Sequence, residues 1–131
     1  MILTGGCLCG AVRWQASRAP RVVHHCHCGM CRRWTGAAFA TLAWFPRVAV
    51  KWTSGEPVIY RSSPIAVRGH CGACGTPLSL TYDGRDDLAF TVGSLDAPES
   101  ATPTHNYGAE GRLPWVDFRP TLPSEKTRET W

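Results

Sequence analysis

Leu78-Ser79-Leu80-Thr81-Tyr82-Asp83-Gly84-Arg85-Asp86-Asp87-Leu88-Ala89-Phe90-Thr91-Val92 reads as two alternating runs around a turn. Leu78, Leu80 and Tyr82 alternate with Ser79 and Thr81, and Leu88, Phe90 and Val92 alternate with Ala89 and Thr91. A period of two marks half-buried strands, and Asp83-Gly84-Arg85-Asp86 carries turn chemistry between them. The period recurs upstream in Val12, Trp14 and Ala16, in Val48, Val50 and Trp52, and in Ile65 and Val67, which bracket Ala66 and Arg68. Phe39 to Phe45 is more continuously apolar, as in a strand buried on both faces. Ser54-Gly55-Glu56-Pro57 and Ser62-Ser63-Pro64 supply further turns. Only Cys28 to Trp34 suits a helical turn, so the fold class is all-β.

The 131 residues suit one domain. Residues 3–123 are expected to form it, with 124–131 as a frayed tail. From Ala97 onward, prolines at 98, 103, 114, 120 and 123 suggest an extended segment wrapping the sheets, anchored by Tyr107, Trp115 and Phe118. The start, Met1-Ile2-Leu3-Thr4-Gly5-Gly6, has no signal-peptide pattern. The longest weakly polar run, Gly36 to Phe45, is about half the length of a membrane helix. A cytoplasmic setting with reduced thiols is therefore expected, with no membrane partner.

The seven cysteines form three groups: Cys7-Leu8-Cys9, Cys26-His27-Cys28-Gly29-Met30-Cys31, and Cys71-Gly72-Ala73-Cys74. Cysteines two apart on a strand share a face, and a C-x-x-C turn curls two sulfurs about one centre. Both arrangements suit tetrahedral zinc. Gly10 and Gly75 follow the outer pairs and permit the left-handed turn that aims backbone N–H groups at sulfur. Cys7, Cys9, Cys71 and Cys74 together make a closed structural zinc site that staples distant strands. Cys26, Cys28 and Cys31 remain, and three ligands plus one open position is the composition of a reactive zinc site. A histidine in the fourth place would instead make that site structural, and His24, His25, His27, His70 and His105 are the candidates. His27 sits between two ligands and is expected to point away.

Two zinc ions also change the charge balance. The formal net charge is +4 with neutral thiols; seven thiolates and two zinc ions bring it to about +1. Basic residues are scattered, so no phosphate-binding face and no nucleic-acid partner are expected.

Three stretches resemble the glutathione-dependent formaldehyde-activating enzyme family, which includes the domain of centromere protein V. They are Gly5 to Arg13, Cys26-His27-Cys28-Gly29-Met30-Cys31-Arg32-Arg33, and His70-Cys71-Gly72-Ala73-Cys74-Gly75-Thr76-Pro77-Leu78. Weaker likeness continues through Gly55-Glu56, Tyr60 to Ser63 and Val92 to Asp96. It extends to His105, Pro114-Trp115 and Leu122-Pro123 in the tail. The resemblance implies a β-tent fold with a structural zinc on Cys7, Cys9, Cys71 and Cys74 and a catalytic zinc on Cys26, Cys28 and Cys31. It implies carbon–sulfur lyase or synthase chemistry joining glutathione to formaldehyde, or the reverse. The chain departs from the family at Pro120-Thr121, where Asp-Gly is frequent, and at His70, where an aromatic is common.

Arg32 and Arg33 are candidates to offset the charge of the second site or hold a substrate carboxylate, with plain surface charge as the alternative. Trp34 and Trp44 suit either a pocket or the core. Three competing readings follow from the cysteines: a zinc-stabilised binding module, a dithiol redox pair at Cys71 and Cys74, and methionine sulfoxide reduction. The last lacks a spare cysteine.

Overall fold

The protein is described from a computed structural model covering residues 2–117, 122–126 and 128–129. In chain order the elements begin β1 (Leu3–Gly6), β2 (Arg13–Ala16), β3 (Val22–Cys26), α1 (Gly29–Thr35) and β4 (Ala40–Pro46). They continue with β5 (Val50–Ser54), β6 (Val58–Ser63), β7 (Ala66–His70), β8 (Pro77–Tyr82), β9 (Asp87–Thr91) and β10 (His105–Tyr107). One sheet has the order β1-β2-β5; the other runs β10-β3-β4-β9-β8-β7-β6. All pairings are antiparallel except that of β10 with β3, which places His105 beside His24 and Tyr107 beside Cys26. The class is all-β, with one short helix.

The alternation of Val12, Trp14 and Ala16 holds: all three are buried. Trp14 stacks on Phe90 with ring centroids 3.7 Å apart and planes within 5°, fastening the small sheet to the large one. Gly5 makes that contact possible, because a Cβ there would lie 2.5 Å from the Trp14 ring and from the Ser94 carbonyl. β4 is buried on both faces along almost its whole length. Phe45 and Ala43 pack with Trp14 and Phe90, whereas Ala40, Leu42 and Trp44 pack with Cys26, Cys31 and Leu80.

Three expectations are corrected. In β7 it is Ala66 and Arg68 that are buried, while Ile65 is 61 % exposed. Arg68 turns inward to meet Cys31 and Trp34 of α1, where a sulfur and a ring face its cation. Val48 lies on a 3-10 turn over Arg47–Ala49 rather than on a strand, and points out with Ala49 buried in its place. Trp115, expected as an anchor, is 71 % exposed; the neighbouring Val116 is buried instead. Phe118, Pro120 and Thr121, and residues 127, 130 and 131 of the tail, lie outside the described residues. No helix among the described residues is long and apolar enough to cross a membrane.

Candidate metal centres and the adjoining cavity

Two matched loops build the four-cysteine cluster. The loop after β1 closes with the Cys7 N–H donating to Val12 O at 3.0 Å; the loop after β7 closes with the Cys71 N–H donating to Thr76 O at 3.0 Å. Gly10 (φ 81°) and Gly75 (φ 80°) take the left-handed conformation that each turn needs. The loops aim N–H groups at sulfur: Val12 at Cys7 Sγ (3.2 Å), and Ala73 and Cys74 at Cys71 Sγ (3.4 and 3.5 Å). Such donors stabilise thiolates. The Thr76 hydroxyl, followed by backbone N–H groups, holds Cys74 down to about 5.

The sulfurs of Cys7, Cys9, Cys71 and Cys74 all lie within 4.8 Å of one another. Cys7 to Cys9 is 3.6 Å and Cys9 to Cys71 is 3.8 Å. Four sulfurs at the zinc–thiolate bond length around a tetrahedral ion stand about 3.8 Å apart. The cluster therefore fits such an ion, and none of the seven cysteines is in a disulfide.

Cys26, Cys28 and Cys31 form the second cluster within the same limit. Cys26 ends β3, Cys28 is the N-cap of α1, and Cys31 lies within α1. The sulfurs of Cys26 and Cys28 are 3.5 Å apart, again the tetrahedral spacing. Cys28 Sγ accepts the Cys31 N–H at 3.4 Å. No histidine or carboxylate among the described residues joins either cluster within 4.8 Å. His27 is fully buried and its Nε2 pairs with Asn106 Oδ1 at 2.8 Å, while His25 Nδ1 meets Thr41 Oγ1 at 2.8 Å.

The cation beside this cluster is not one of the two arginines singled out by sequence. Arg32 donates to the backbone carbonyls of His27 (3.1 Å) and Gly111, a structural role. Arg33 lines an outer cavity of about 320 Å³ with Met30, Trp34 and Tyr60. Arg68 instead donates to Cys31 Sγ at 3.5 Å and to Ser62 Oγ at 3.1 Å, with its guanidinium 4.8 Å from the Trp34 ring centre. Cys31 is held down to about 5, first by hydrogen bonding from Cys26 and then by Arg68, against the opposing effect of burial.

Cys26 also borders a cavity of about 230 Å³ on the face of the large sheet that carries Leu42, Trp44 and Leu80, opposite the face packed against the small sheet. Leu42, Trp44 and Leu80 make its walls apolar, and His24 and Tyr107 line it as well. The Trp44 indole N–H donates to His24 Nε2 at 2.9 Å. Burial, with His105 and His25 nearby, pushes His24 down to about 4. At the mouth, Arg85 lies 5.1 Å from the Trp44 ring centre and pairs with buried Asp87 at 2.7 Å.

The sequence pattern of the family described as glutathione-dependent formaldehyde-activating enzyme matches residues 2–109, a span that contains every cysteine of both clusters. The chain belongs to this family. An uncharacterized lyase of Schizosaccharomyces pombe is 34 % identical over 80 residues, covering 60 % of this chain and 56 % of that relative. The chain thus matches little more than half the length of the curated relative. A crystal structure of a Rhodobacter sphaeroides protein superposes with a TM-score of 0.62 at 21 % identity, covering 79 % of this chain and 98 % of that one. That likeness concerns the fold alone.

Sequence reasoning on this family member missed Arg68 and Asn106 as neighbours of the second cluster, and it offered His24 as a fourth ligand, whereas His24 accepts from Trp44 and joins no cluster. For Arg68 a signal existed: a lone arginine in an apolar run, Ile65-Ala66-Val67-Arg68, is either an outward residue or a buried cation with a partner. The alternation favoured the first.

Proposed function

We propose that the chain is a zinc-dependent carbon–sulfur lyase or synthase of the S-(hydroxymethyl)glutathione synthase type. It would join a small thiol such as glutathione to a small aldehyde, or separate them. The observation that carries this reading is the three-sulfur cluster at the edge of an apolar cavity, with no fourth protein ligand nearby among the described residues. Family membership agrees with it.

Cys7, Cys9, Cys71 and Cys74 would hold a structural zinc, and Cys26, Cys28 and Cys31 a catalytic one, giving two per chain. When bound at the trio, zinc supplies a Lewis acid that brings a thiol's pKa toward neutrality. The chain's own residues do the remaining work. Cys26 joins the trio to the cavity, Arg68 would offset the excess negative charge of three thiolates, and Leu42, Trp44 and Leu80 would keep water away from the reacting atoms. The formation of one carbon–sulfur bond needs no redox partner.

The test is zinc content together with thiol binding. The parent is expected to hold two zinc ions, and Cys28→Ser one in a chain that still folds. Cys74→Ser is expected to unfold, since lost metal binding is lost folding energy. Glutathione should alter the sulfur-to-metal charge-transfer band of the cobalt-substituted protein. A parent with one zinc, or a band that ignores glutathione, overturns the enzyme reading and leaves a zinc-stabilised binding module.

A further inference from the structure

His24 and Cys26 lie two apart on β3, project from one face and line the same cavity. One strand repeat, about 7 Å, separates their backbone positions. His24 is 8 % exposed. An indole N–H only donates, so Nε2 of His24, which meets Trp44 Nε1 at 2.9 Å, must accept. The ring is then neutral, and its one proton is on Nδ1. That Nδ1 is buried and has no hydrogen-bond partner among the described residues. The rings of His105 and Tyr107 flank the His24 ring, centroid to centroid at 5.1 and 5.3 Å, and neither offers Nδ1 an acceptor. A buried donor without an acceptor is a rarity in native structures and points to a partner from outside the chain.

We propose that His24 is a catalytic hydrogen-bond donor whose Nδ1–H receives the oxygen of the substrate aldehyde and of the hydroxymethyl adduct it becomes. This rests on the carbon–sulfur reading above. As the thiolate sulfur forms its bond to the carbonyl carbon, the π pair of the C=O moves onto oxygen. The Nδ1–H faces the charge developing there. Water then protonates the oxygen, balancing the proton that the thiol released, and in the reverse direction the C–S pair returns to sulfur. His24 neither gives up nor gains a proton, because Trp44 occupies its other nitrogen. Trp44 is accordingly a positioning residue: it fixes the tautomer, and the strand fixes the ring beside Cys26.

The experiment uses the full zinc-loaded chain with glutathione and formaldehyde. His24→Phe is expected to lower kcat by about 100- to 1000-fold, the usual loss for one oxyanion donor. Glutathione's effect on the cobalt band should be unchanged. His24→Gln, whose amide both accepts from Trp44 and donates, should recover part of that loss and serves if the Phe variant does not fold. In histidine-¹⁵N-labelled protein, His24 should be the Nδ1-protonated tautomer. Its proton resonance should move downfield with glutathione plus formaldehyde and stay in place with S-methylglutathione, which has no oxygen on the added carbon. Unchanged kcat in both variants, or an Nε2-protonated ring, overturns the inference and leaves the proposed function standing. A parent that neither binds glutathione nor turns over overturns both.

Discussion

The Arg68 guanidinium reaches the Cys31 sulfur across the space between β7 and α1, at 3.5 Å, with Trp34 stacked on the same group. A buried cation is tolerable only where a counter-charge and hydrogen bonds meet it. Arg68 has both, from Cys31 and from Ser62.

Replacing Arg68 with Met keeps much of the stem volume and removes the charged hydrogen bond. A loss of about 1.5–3 kcal/mol in unfolding free energy is expected, measured by chemical denaturation of the zinc-loaded protein. The cobalt charge-transfer band should shift to lower energy, because a thiolate relieved of its donor holds its electrons less tightly. Arg68→Lys should restore charge without the fork or the stack, and recover only part. An unshifted band in Arg68→Met would show that the guanidinium does not tune the sulfur.

Gly10→Ala and Gly75→Ala isolate backbone strain from crowding. Both glycines have φ near +80°, and an added Cβ would meet nothing within 4 Å. Each substitution should cost about 1–2 kcal/mol through the left-handed conformation alone. Because metal binding and folding are coupled, zinc affinity at the four-cysteine cluster should weaken with it, as read by chelator competition.

Phe90→Ala removes the ring that stacks on Trp14 and lies against Phe45 and Trp52. Phe90 is fully buried, so a loss of about 3–5 kcal/mol is expected. The damage should centre on the contact between sheets, appearing as faster amide exchange in β1 and β2. Exchange that rises equally everywhere would contradict that role.

Asp96 gives a pH dependence with a definite sign. Arg13 Nη1 donates to Oδ1 at 2.9 Å and Thr4 Oγ1 to Oδ2 at 2.6 Å, tying the carboxylate to β1 and β2. Arg13 first, then Thr4, hold its pKa at about 2, below the ordinary 3.8. The folded value is the lower one, so this stabilisation is complete above about pH 4 and fades as pH falls through 2. The side chain is 46 % exposed, which limits the effect to below about 1 kcal/mol. The difference in stability between the parent and Asp96→Asn should therefore shrink between pH 4 and pH 2. A constant difference would contradict the linkage.

Much of the molecule is legible in its sequence, and the legible parts share one property. The strands that bury Trp14, Leu80 and Phe90 are decided by nearest neighbours along the chain, as are the C-x-C and C-x-x-C sulfur pairs and the glycine turns after Cys9 and Cys74. The expected half-burial fails in β8 and β9, where Ser79, Ala89 and Thr91 are buried as well because core clusters cover both faces of the large sheet. The short helix at Gly29–Thr35 is equally local. The misreadings fall where a second element changes what a face must accommodate: Arg68 turns inward because Cys31 and Trp34 of α1 face it, and Val48 turns outward because a 3-10 turn replaces the strand.

The sequence by itself determined the all-β class, the grouping of seven cysteines and the turns that shape their loops, since periodicity and short-range spacing act within a few residues. Only the tertiary structure decided that Arg68 faces Cys31 across 37 positions, that Asn106 takes His27 across 79, and that Trp44 sets the tautomer of His24. A hydrogen bond depends on direction and on distances of a few tenths of an ångström. Those are reached only once β3, β4, β7, α1 and β10 have closed upon one another.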